Sequence, residues 1–106
     1  MTLHEVLDEA AASILAADAA GLEVVTTDGM TEWRRGGVAF VSLDAAGVAA
    51  AFRLDAVLAG AARRTPDTSG SSRGAEWVTF APAVLDDHAA DRAGAWFAAA
   101  YRRAGD

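Results

Sequence analysis

The chain reads as an α+β domain, a five-stranded, mostly antiparallel sheet with three helices packed on one face, in the order α-β-β-β-β-α-β-α. Three observations predict it. Apolar residues recur at helical spacing near both ends of the chain. Between Leu22 and Leu54 the period falls to two, and the dipeptides Asp28-Gly29 and Gly36-Gly37 cut that region into short strands.

The first helix starts at Thr2. Glu5, three positions on, completes a capping box in which each side chain satisfies an orphan backbone N–H. Leu3, Val6, Leu7, Ala10, Ile14 and Ala17 form its inner stripe, while His4, Glu5, Asp8, Glu9 and Asp18 fall on the other side. Gly21 closes it, because glycine accepts the left-handed backbone common at helix ends.

Four strands follow. Leu22–Thr27 is β-rich and stops at Asp28-Gly29, a two-residue hairpin signal. Met30–Arg35 runs to Gly36-Gly37. Val38–Leu43 is apolar on both faces, with Val38 and Phe40 on one and Ala39, Val41 and Leu43 on the other, as suits a central strand. Beyond Asp44–Gly47, Val48–Leu54 places Val48, Ala50, Phe52 and Leu54 on a single face and Arg53 opposite. Turns this short join antiparallel neighbours, since parallel ones need longer crossovers.

Asp55 caps a short helix, Ala56–Arg64, whose apolar side is Val57, Leu58, Ala61 and Ala62. Pro66 ends it. Thr65–Gly74, rich in Ser, Thr, Gly and Pro, reads as a mobile loop, and Ala75–Phe80 as the fifth strand. Pro82 breaks that strand. Asp86 or Asp87 then opens a last helix to about Arg103, with Ala89, Ala93, Trp96, Phe97 and Ala100 inside. Trp77 also reads as core. No repeat or linker divides residues 1–106, so one domain is expected.

The order of elements carries a resemblance, together with the stretches Gly37-Val38-Ala39-Phe40, Val48–Leu54, Trp77-Val78-Thr79-Phe80, Asp86-Asp87, Trp96 and Tyr101. It resembles the MmcQ/YjbR-like family of small bacterial domains, over roughly Met30 to Tyr101. There a Gly-x-x-Phe strand is followed by a strand and a short helix, and a Trp-Val strand leads into an Asp-started final helix. The resemblance implies a domain without enzymatic activity, and its likening to a double-wing nucleic-acid fold implies an alternative function in nucleic-acid binding. Typical members carry a lysine in the Gly-x-x-Phe strand and another before Trp-Val. This chain has no lysine at all.

Charge argues on the same question. Nine basic residues, all arginine, oppose 15 acidic ones, for a net charge of −6. DNA binding at cellular salt rests on about 6–10 phosphate contacts, which would need nearly every arginine on one face. Absent cysteines exclude disulfides, thiolate metal sites and a cysteine nucleophile. With no long apolar run and no basic leader, the expected setting is the cytoplasm, with no membrane contact.

Four constellations have chemical potential, and each has a plainer explanation. Asp86, Asp87, His88 and Asp91 supply metal-ligand types but suit a helix cap and first-turn acids facing the dipole. His4 and Asp8, one turn apart, form a base-like couple with no nucleophile motif to serve. Thr68–Gly74 is cradle-like in composition, yet it follows a helix and precedes a strand, the reverse of a phosphate loop. Trp33 beside Arg34 and Arg35 is a stacking platform in outline, weakened by Glu32. No catalytic residue, metal or cofactor is expected. The expected binding surface comprises Trp33, Arg34, Arg35 and Arg53 beside the Arg73 loop, with Tyr101 at a rim. Its partners would be an anionic small molecule or an acidic protein segment, since arginine pairs carboxylates well. A homodimer through a strand edge is a further expectation.

Overall fold

The computed structural model describes residues 2–17 and 21–105. Helix α1 (Leu3–Ala17) is followed by strands β1 (Leu22–Thr27), β2 (Met30–Arg35), β3 (Val38–Leu43) and β4 (Ala50–Arg53). Helix α2 (Ala56–Ala62), strands β5 (Thr68–Ser71) and β6 (Gly74–Phe80), and helix α3 (Asp87–Ala104) complete the chain. The sheet has six strands in the order β1-β2-β3-β4-β6-β5, each pair antiparallel.

The sixth strand corrects the expectation of five. Thr68–Ser71 lies in the stretch expected to be a loop, and it pairs with β6 from Thr68↔Phe80 onward. Its polar composition hid it, because an edge strand with little to bury has no apolar alternation to show. Local bonds fix its entry. The Thr68 hydroxyl donates to the carbonyls of Ala62 and Thr65 at 2.9 and 2.8 Å, and the Asp67 carbonyl accepts from the Ala81 N–H at 2.9 Å.

Helix starts follow the expected caps. The Thr2 N–H donates to Glu5 Oε1 at 2.8 Å and the Glu5 N–H to Thr2 Oγ1 at 3.1 Å. Asp55 and Asp86 accept from the Leu58 and Ala89 N–H groups at 2.8 and 2.9 Å. In α1 the buried residues are Leu3, Val6, Leu7 and Ala11, with Ala10 and Ile14 partly covered and Ala17 exposed. Asp18 falls outside the described residues. In α2 the inner pair is Ala59 and Ala62, whereas Val57 is 85% exposed. Val48 likewise leaves its expected strand, because Asp44 Oδ1 accepts the N–H groups of Val48 and Ala49 and holds them in the turn.

All three helices contribute to one core against one face of the sheet. Trp33, Phe40, Phe52, Phe80 and Phe97 are its largest fully buried side chains. Phe97 meets Trp33 and Phe40 edge-on at ring centroid distances of 5.8 and 5.3 Å, while Trp96 meets Phe52 and Phe80 at 5.9 and 5.1 Å.

A bulge in β3 corrects the two-sided reading of that strand. Trp33 pairs with Val41 and Arg34 with Ala39, so Phe40 is an extra residue. Strict alternation would put Phe40 and Val41 on opposite faces. Instead both are fully buried, with Phe40 packed on Phe97 and Tyr101 of α3. Among the described residues no helix packs on the other sheet face, which carries Glu32, Arg34, Ser42, Ala51, Arg53, Trp77 and Thr79 in register.

Candidate anion-binding face

The expected surface residues divide between the two faces. Along β2 the alternation turns Trp33 and Arg35 to the helices and Arg34 to the open face. Trp33 is completely buried and belongs to the core, so it offers no stacking platform. Arg35 lies over the Tyr101 ring, its guanidinium carbon 4.1 Å from the centroid, and its Nη1 donates to the Tyr101 carbonyl at 2.9 Å. It anchors the last turns of α3, where cations suit the helix dipole. Tyr101 is itself 7% exposed, packed between Phe40 and Arg35 rather than set at a rim.

Arg34, Arg53 and Arg73 share the open face, and the first and last converge on Glu32. Arg34 donates to Glu32 Oε1 from Nε at 3.1 Å and from Nη2 at 2.7 Å. Arg73, in the turn between β5 and β6, reaches Glu32 Oε2 from Nη2 at 3.3 Å and lies over Trp77 with its guanidinium carbon 4.8 Å from the ring centroid. Strands β3, β4 and β6 follow β2 in the sheet, so β6 is three spacings away, roughly 14 Å along a flat sheet. One arginine side chain covers about half of that. The sheet must curl, bringing the β5–β6 turn over the open face. Ser42, set between Glu32 and Ala51 in the register, is only 5% exposed although no helix covers it.

A second carboxylate is clamped on the helix side of β6, in line with buried Leu54. Glu76 receives Arg53 Nε at 3.5 Å on Oε2 and Arg103 of α3 on Oε1. Trp77, half-buried on the open face beside Arg53, is thus not part of the core.

Glu32 is the residue that reasoning from the sequence missed. It stood there as a charge opposing the arginines, yet it occupies the centre of their cluster. The spacing of Glu32 and Arg34, two apart on a strand, was the available signal. Nothing local announced that Arg73, expected on this surface but 41 residues away, would be its second partner. The Arg34 hydrogen bonds, aided by Arg73 and opposed by partial burial, hold the Glu32 carboxyl below its ordinary range. A carboxylate with its folded pKa depressed stabilises the fold above its unfolded value, and that contribution fades as pH falls through the folded value. Glu32→Gln is therefore expected to lower the thermal midpoint slightly near neutral pH, the effect being small for so solvated a cluster. The two proteins should converge as acid protonates Glu32. A gap that stays constant into acid would contradict this assignment.

The remaining candidates do not assemble. Asp86 is engaged as the α3 cap, Asp87 and His88 are exposed on its first turn, and Asp91 lines a groove of about 260 Å³ between α1 and α3 with Glu9. Among the described residues no three His, Asp or Glu side chains gather as a metal would require. His4 pairs with Asp8 at 3.4 Å, both about half exposed, and meets Trp33 edge-on at 5.9 Å. Arg63 donates to the Ala75 carbonyl at the start of β6 and Arg92 to that of Pro66 at 3.0 Å, so these arginines brace backbone rather than gather into a site. No helix among the described residues is long and apolar enough to cross a membrane. No family model, curated protein or solved structure matches the chain.

Proposed function

We propose that the protein is a non-enzymatic cytoplasmic binding domain that receives an anionic small molecule or an acidic protein segment on its open sheet face. Membership of the MmcQ/YjbR-like family is part of the proposal and rests on the sequence motifs alone. The observation that carries the binding reading is the division of one carboxylate between two arginines, Arg34 on Oε1 and Arg73 on Oε2 of Glu32. Such an arrangement is built to hold a carboxylate, because charge-assisted bonds from guanidinium groups are stronger than neutral ones. Glu32 fills the place in the free protein. An incoming acid takes it over, with Trp77 as the flat surface beside it.

Exchange predicts that removing the resident acid tightens binding. Calorimetric titration with citrate and with a tetraglutamate peptide is expected to give Glu32→Gln about tenfold higher affinity than the native chain. Arg34→Ala combined with Arg73→Ala should lose binding of both. Unchanged or weaker binding by Glu32→Gln would overturn the reading. A polyanion fits less well, since Arg35 and Arg92 are directed to the carbonyls of Tyr101 and Pro66 and form no continuous basic stripe with the face.

A further inference from the structure

Strand β1 ends the sheet on one side, and its ladder to β2 runs from Leu22↔Arg35 to Thr27↔Met30 without a register shift. Among the described residues nothing pairs with its outer edge. Sheet edges are normally guarded by proline, lysine, a bulge or brevity. The sequence Leu-Glu-Val-Val-Thr-Thr has six residues, no proline and no basic side chain, with Glu23 as its one charge. Val24, on the helix-facing side beside the buried Trp33, is 54% exposed. The opposite edge, β5, is shorter, carries Gly70 and three hydroxyl residues, and is interrupted by a register shift at Gly70/Ser71. The two edges are not equivalent.

We propose that β1 pairs antiparallel with β1 of a second copy, joining two six-stranded sheets about a two-fold axis normal to the sheet. The choice of a second copy rests on self-complementarity. Residues directly opposite in an antiparallel pair share a face. With the helices of both copies on the same side, the axis must therefore pass beside a single residue. Centred on Val24, it sets Val24 against its own counterpart, Leu22 against Thr26, and Glu23 against Val25. The two exposed valines cover each other, and Glu23, the only charge, stands directly opposite a valine and meets its own counterpart only along the diagonal. Because both β1 edges are consumed, the assembly closes at two copies. Head-to-tail pairing of β1 with β5 would instead leave open ends and grow. A single pair of six-residue strands buries less than the ~800 Å² per partner of a standard interface, so the dimer is expected to be reversible. This inference is independent of the anion site, which lies on a different surface.

Sedimentation velocity from about 5 to about 500 µM should show a monomer–dimer equilibrium governed by mass action. Val24→Lys places two ammonium groups opposite each other at the axis and should weaken association at least about tenfold with an unchanged circular dichroism spectrum. Val24→Ile, which keeps the β-branched contact, should retain the dimer. Amide exchange at residues 22–27 should slow as concentration rises. A native chain that stays monomeric throughout, a dimer indifferent to Val24→Lys, or a series of higher oligomers would each overturn the proposal.

Discussion

Trp33→Ala is expected to cost about 3–5 kcal/mol, the range for truncating a buried aromatic. The indole is fully buried beneath α1 and α3, with His4 and Phe97 edge-on to it at 5.9 and 5.8 Å. Removing it leaves a cavity at the junction of both helices with β2, which a helix pair pinned to a sheet cannot close. For a domain of this length the midpoint should fall by roughly 15 °C or more. Any loss of ligand affinity should track the loss of folded protein, because Trp33 reaches no surface. A stable variant that fails to bind would return Trp33 to the binding surface and contradict its burial.

Phe52→Ala is expected to be as severe, about 3–5 kcal/mol, and Trp77→Ala mild, about 1–2 kcal/mol. The comparison is informative because both rings are aromatic and lie in adjacent strands in the sheet. Phe52 points to the helices, wholly buried and edge-on to Trp96. Trp77 points the other way, partly exposed beneath Arg73. What it loses on truncation is one cation–π contact and partial burial. Paired denaturant titrations measure the difference, and equal losses would mean that the faces have been assigned the wrong way round.

Much of the architecture could be read from residue order. Period-two spacing, Asp-Gly and Gly-Gly turns and the Thr2, Asp55 and Asp86 caps gave helices and strands close to those found, since each acts within a few residues. The β5 strand was hidden because its pairing depends on β6 and not on any pattern of its own. Phe40 was placed on the wrong footing relative to Val41 because a bulge obeys no local periodicity. The site suffered from the same limit. Trp33, Arg34 and Arg35 adjoin in sequence, but a strand sends neighbours to opposite sides, so only Arg34 stayed with Arg53 and Arg73. Glu32 became the hub through a contact made by tertiary curvature.

That curvature has a consequence for how the molecule responds to its medium. The helical side is fastened chiefly by close-packed rings and methyl groups, which dissolved ions barely affect, with the Arg103–Glu76 pair beside them. The overhanging hairpin tip is fastened to β2 by opposite charges in partial contact with water, whose attraction is screened over about 8 Å at physiological ionic strength. Raising the electrolyte concentration should therefore loosen the hairpin tip from β2 while leaving the packed rings of the helical side largely as they were, so that the open face changes shape before overall stability falls.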